Sequence, residues 1–90
     1  MERIVKVDNS DSVIYKLNNH QSQTQFTLGL YVDTNSASGG LLVQQLSMLT
    51  LKYRNLTIYY CTSADRYING GQHTLPYYEL YQLNEKIAER

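Results

Sequence analysis

The sequence predicts an α/β (α+β) fold in two layers: an N-terminal β-hairpin, a βαβ unit and a C-terminal helix. The sheet is mixed and four-stranded, with helices mainly on one face. Three observations predict it. Two stretches, residues 26–32 and 56–61, alternate apolar and polar side chains at the period of a half-buried strand. Between them runs a stripe at the period of a helix. All the strand patterns together collect apolar side chains on one sheet face and hydroxyl-bearing ones on the other.

In chain order, residues 3–7 (Arg-Ile-Val-Lys-Val) read as a short strand. Asp8-Asn9-Ser10-Asp11 reads as a turn and Ser12 to Leu17 as a second strand, a hairpin with the first. Asn18 to Thr24 is polar and reads as a loop. In residues 26–32, Phe26, Leu28, Leu30 and Val32 point one way, and Thr27, Gly29 and Tyr31 the other. Asp33 to Gly40 is dense in turn and N-cap residues. Leu42, Val43, Leu46, Leu49 and Tyr53 then mark the core stripe of a helix. Lys52 and Arg54 suit its last turn, where the dipole favours cations, and Asn55 suits its end. Leu56 to Cys61 alternates again. Strand, crossover helix and strand make a right-handed parallel βαβ unit. Ser63 to Thr74, with Gly70-Gly71, reads as an exposed loop. After Pro76, Tyr77, Leu80, Tyr81, Asn84, Ile87 and Ala88 share one helical face, with Thr74 a candidate cap.

One face of the predicted sheet gathers Val5, Val7, Val13, Tyr15, Leu17, Phe26, Leu28, Leu30, Val32, Leu56, Ile58 and Tyr60. The other gathers Lys6, Lys16, Thr27, Gly29, Tyr31, Thr57, Tyr59 and Cys61. Such a division predicts a sheet covered on one side, its Thr/Tyr face left open.

Ninety residues make a single domain, residues 1–90, able to bury roughly two-thirds of its unfolded surface. Eight basic residues cancel eight acidic ones, which leaves no electrostatic footprint for a nucleic-acid backbone. A single cysteine excludes an internal disulfide and a dithiol pair, and fits a reducing compartment. With no signal peptide before the first strand, the expected location is the cytoplasm, and the Asn55-Leu56-Thr57 sequon stays unglycosylated. The apolar run from Leu41 to Leu51 is short and interrupted by Gln44 and Gln45, so no membrane span is expected.

Nine tyrosines stand against one phenylalanine and no tryptophan. Tyrosine gives large contact area at low entropic cost and is enriched at interfaces. Protein binding is therefore expected on the Thr/Tyr face, at Tyr31, Tyr59, Thr27 and Thr57. A second candidate surface is Leu41, Met48 and Leu51, which lie away from the helix's core stripe. Packing of the last helix would serve that side equally well. The expected partner is a second copy of the chain or a larger host protein, and the size and lack of motifs suit a non-enzymatic adaptor or inhibitor, including one carried by a phage or mobile element.

Two other functions compete. Thr34, Asn35, Ser36, Ser38, Gly39 and Gly40 open a helix, where backbone amides and the dipole suit a phosphate or nucleotide. That stretch has neither a P-loop lysine nor a G-x-G-x-x-G spacing. Tyr31 and Tyr59 on adjacent strands suit stacking of single-stranded bases, against which stand the neutral charge and the missing RNP pattern. Asp33 is one carboxylate at a strand end and better suited to helix entry, so no metal is expected. Cys61 and His73 would pair as nucleophile and base only if the loop folded back. His20 and His73 otherwise sit in polar loops, and Cys61 is a small strand hydrophobe. No cofactor is expected.

Leu28-Gly-Leu-Tyr-Val-Asp-Thr34, followed by a polar turn and a long helix, resembles the first βαβ of the thioredoxin superfamily. The resemblance is to its cysteine-free branch, which contains KaiB and the N-terminal sensor domain of SasA. Where redox relatives carry a cysteine pair, this chain has Asn35, Ser36, Ala37 and Ser38, so the resemblance implies no thiol chemistry there. Thr74-Leu75-Pro76 sits where the superfamily has a Thr-Pro before a strand. The resemblance implies a domain that docks onto a larger protein and catalyses nothing. The chain departs from the family after Pro76, where the family continues with a β-hairpin and a helix and this chain is patterned as a helix. The N-terminal hairpin has no counterpart there, and the family covers both sheet faces with helices.

Overall fold

The computed structural model describes residues 3–19, 24–33, 37–64, 66–68, 70–83 and 85–90. Its elements are β1 (Ile4–Lys6), α1 (Ser10–Asn18), β2 (Phe26–Tyr31), α2 (Ala37–Lys52), β3 (Leu56–Cys61), β4 (Tyr67–Ile68), β5 (Gly71–Gln72), β6 (Tyr77–Gln82) and β7 (Glu85–Glu89). The α/β fold with two helices on a mixed sheet forms as the pattern predicts. Its sheet has five strands rather than four, in the order β1-β3-β2-β6-β7. β1 and β2 both run parallel to β3, with Leu28 opposite Ile58 and Gly29 opposite Tyr59. β6 runs antiparallel to β2, and β7 antiparallel to β6.

The predicted second strand is the helix α1. Asn9 is its N-cap: the side-chain oxygen accepts from the Ser12 amide at 2.8 Å. Val13 and Leu17, four residues apart, are buried, while Tyr15 between them is 64% exposed. Alternation over Val13, Tyr15 and Leu17 fits either period, and the cap with its acidic neighbour Asp11 decides for the helix.

The predicted C-terminal helix is the hairpin β6–β7. In β6, Tyr77, Glu79 and Tyr81 face one side of the sheet, and Tyr78 and Leu80 the other. Three tyrosines in six residues favour a pleated surface. β2 also offers β6 a full row of backbone partners, which a helix would leave unmet. The Leu75–Pro76 peptide just before this strand is cis. Ser63 to Thr74 is not wholly a loop, since it holds the short hairpin β4–β5 with Ile68 buried and Gly70 at φ +84°.

The helices are not gathered on one face. Val13 and Leu17 of α1 pack with Tyr31, Cys61, Ile68 and Tyr77 on one side of the sheet. Leu46 of α2 packs with Leu30, Val32, Leu56 and Ile58 on the other. The supposedly open Thr/Tyr face is thus the floor of the α1 core. Gly29 lets that helix approach: a Cβ there would lie 2.6 Å from Leu17 Cδ1 and 3.3 Å from Val13 Cγ1.

Candidate functional site

On the α1 side, hydroxyls and one carboxylate are drawn inward together. Glu79 is 4% exposed, and its carboxylate accepts from the Tyr31 hydroxyl at 3.0 Å and from Lys86 Nζ at 3.2 Å. The Tyr77 hydroxyl donates to Glu89 at 2.6 Å, and the His73 ring stacks on Tyr77 with centroids 3.9 Å apart. Burial, then the charge of Glu79, pushes the Tyr31 hydroxyl far above the ordinary tyrosine value. Burial, then donation to Glu89, raises Tyr77 as well. Hydrogen bonding from Tyr77 holds the Glu89 carboxyl below its usual range, and hydrogen bonding to Glu79 raises Lys86. Tyr31, Tyr77, Glu79, Lys86 and Glu89 each have a side-chain partner within the network, which ties β2, β6 and β7 together.

Of the residues expected to bind protein through the sheet, Tyr31, Thr27 and Thr57 are buried and Tyr59 is half-buried. Thr57 meets Thr24, their hydroxyl oxygens 2.6 Å apart. Tyr31 has no exposed ring face on which a base could stack. These side chains hold α1 and the strands together.

The residues of the second expected surface are exposed. Leu41, Met48 and Leu51 are 60%, 68% and 75% exposed on the outer side of α2. Beside them the sheet is only partly covered. A groove of about 890 Å³ runs between α2 and the β2–β6 strands, walled by Leu42, Leu46 and Leu49 and floored by Leu28, Leu30 and Tyr78. Leu75, Pro76 and Arg90 also line it. The sequence missed this groove because it assigned Leu28 and Leu30 to a covered core and Tyr78 to a helix. The alternation of Tyr77 to Gln82 was the signal that would have found its floor.

The remaining candidates separate. α2 begins at Ala37, so Ser38, Gly39 and Gly40 belong to its first turn, whereas Thr34, Asn35 and Ser36 lie outside the described residues, as does the Ser38 side chain. Asp33 bridges Ser63 at the strand end. Cys61 is fully buried with the Ser10 hydroxyl 4.0 Å from its sulfur, and burial pushes its thiol up, which disfavours the thiolate a nucleophile needs. Among the described residues, no group of three or more His, Cys, Asp or Glu is placed to hold a metal. No described helix is long and apolar enough to cross a membrane.

No protein-family model matches the chain, and no curated protein matches it in sequence. Solved structures do match in fold. Thioredoxin O2 of Arabidopsis thaliana, in its oxidized state, superposes with a TM-score of 0.71 at 14% identity, over 99% of this chain and 82% of that one. Mitochondrial thioredoxin 3 of Saccharomyces cerevisiae gives 0.67 at 14% identity, over 97% and 81%. Spinach chloroplast thioredoxin f gives 0.70 at 10% identity, over 98% and 74%. Those proteins are thioredoxins by name. At such identities the likeness shows that this chain has a thioredoxin-like fold.

Proposed function

We propose that this chain is a non-enzymatic protein-binding module that docks onto a larger protein through the α2 side of its sheet. One observation carries this reading: an apolar groove lies beside a helix whose outer side also exposes Leu41, Met48 and Leu51. The shape suits an amphipathic helix of the partner. Sheets bury their apolar faces under helices, and α2 leaves Leu28, Tyr78 and Leu80 only partly covered. A second helix beside α2 would complete that layer, in the helix-in-groove mode.

The absence of catalysis belongs to the same proposal. Dithiol exchange needs two thiols, and the chain has one cysteine, which is buried. The lack of cysteine at Asn35 to Ser38 is what favours the KaiB/SasA branch over the redox branch, although Cys61 keeps the chain from being cysteine-free. An adaptor or inhibitor working in a reducing cytoplasm, including one carried by a phage or mobile element, fits a neutral, motif-poor chain of this size.

The test is affinity capture with wild type and with a Leu41→Glu/Met48→Glu/Leu51→Glu variant, which keeps its fold because all three residues are exposed. The proposal expects a protein, identified by mass spectrometry, that wild type retains and the variant loses. Binding must then be reproduced with the purified partner and an isolated helix from it. Equal retention by both forms would remove the α2 side from consideration.

A further inference from the structure

β7 is an edge strand: among the described residues, no strand lies beyond it in the sheet. Exposed edges invite pairing, and charges on them usually prevent it. Here the order of the charges matters. The β6–β7 ladder pairs Gln82 with Glu85, Tyr81 with Lys86, Leu80 with Ala88 and Glu79 with Glu89, so Ile87 is an extra residue at a bulge. The bulge resets which face each following side chain takes. Lys86 and Glu89 share the α1 face, where they reach Glu79 and Tyr77. Glu85 and Ala88 share the α2 face, where Arg90 lines the groove.

We propose that β7 pairs antiparallel with β7 of a second copy of this chain, about a two-fold axis at Ala88, joining two sheets into one. Opposed residues in an antiparallel pair must lie on the same face. About this axis Ala88 meets Ala88, Lys86 meets Glu89 and Glu85 meets Arg90 of the second copy, and each charged pair occurs twice by symmetry. Both pairs are of opposite sign, and both satisfy the face requirement. Moving the axis to Lys86 sets lysine against lysine, and moving it to Glu89 sets glutamate against glutamate. Like charges directly opposed disfavour those registers. Without the extra residue at the bulge, an axis at Ile87 would oppose Glu85 to Glu89, and one at Ala88 would oppose Lys86 to Arg90. The same charges that repel a foreign strand therefore select this strand's own copy in one register. Ile87, 46% exposed, adds apolar area beside the axis. Arg90 also lines the groove, but Glu85 and the exposed Leu41, Met48 and Leu51 do not overlap, so the Glu85→Arg variant tests this contact and the α2 variant tests the proposed function.

The experiment is sedimentation over a range of concentrations on wild type, Glu85→Arg, Arg90→Glu and the double variant. Neither side chain takes part in the tie around Glu79, so the fold is preserved. Wild type is expected to dimerise, more weakly at high salt. Each single reversal places like charges opposite each other twice and should weaken association about tenfold or more. The double variant, Glu85→Arg/Arg90→Glu, should restore it. An equimolar mixture of the two single variants should form a heterodimer, because every charged pair is then complementary. A wild type that stays monomeric at the highest concentration overturns the proposal. So does a dimer indifferent to the single reversals, or single variants that fail to associate on mixing.

Discussion

Glu79 is a carboxylate kept in the interior because two donors come to it: the Tyr31 hydroxyl from the next strand and Lys86 from β7. Removing either leaves the buried carboxylate one donor short, which typically costs about 1–3 kcal/mol. The phenols around it set the alkaline limit of the fold. Burial raises Tyr31 and Tyr77 above the tyrosine value, with Tyr59 and Tyr81 raised in the same direction. The unfolded chain therefore loses these protons first. The stability that the neutral phenols contribute is complete below a pH of about 10 and is lost as pH rises through the higher values of the folded state. Urea midpoints measured against pH should fall steeply above that point, and Tyr31→Phe should give a shallower fall. An unchanged slope in the variant would mean that Tyr31 is not the ionising group. At this scale the sequence was misleading. It marked Tyr31 and Tyr59 as unusual, but a phenol that contacts a partner and one that closes a core alternate identically along a strand.

α1 and β2 meet through Gly29, and the element-level consequence is testable. Alanine at this position would press on Leu17 and Val13. Overpacking of this kind costs about 1–3 kcal/mol. Gly29→Ala should lower the urea midpoint by that order in wild type and by clearly less in a Leu17→Ala background, where the crowded methyl is gone. Equal costs in both backgrounds would mean that α1 does not approach β2 here. Element identity was legible where pattern length and period agreed. The stripe from Leu42 to Leu49 gave α2, and strict alternation gave β2 and β3. It failed at α1, where a nine-residue stretch fits two periods and one asparagine cap decides. It failed again after Pro76, where Tyr77, Leu80 and Tyr81 match a helical face as well as a strand. The hairpin after Pro76 and the cover on both faces, taken from the sequence as departures from the thioredoxin pattern, are where the structure follows that pattern. The sheet supplies backbone partners that periodicity does not see.

The whole molecule has two apolar clusters separated by one sheet, Val13 and Tyr31 in one and Leu46 and Ile58 in the other. Both depend on the same strands, so they should unfold together. Leu46→Ala should cost about 2–5 kcal/mol and Val13→Ala about 2 kcal/mol. The double variant should cost their sum to within about 0.5 kcal/mol, since the sites share no partner. Urea unfolding at unchanged slope would confirm one cooperative unit. Two separate transitions would mean that each side of the sheet folds alone. The groove belongs to this scale too, because it exists where α2 stops short of β6.

The sequence by itself determined the α/β class, the parallel βαβ unit, the outward-facing Leu41, Met48 and Leu51, and the lack of a second thiol. Each follows from local period or from a count. Only the tertiary structure decided that the tyrosine face lies beneath α1, that the chain closes with a hairpin, and that an apolar groove is left beside α2. These outcomes depend on which strand borders which, and so on backbone partners and cover supplied by residues distant in the chain.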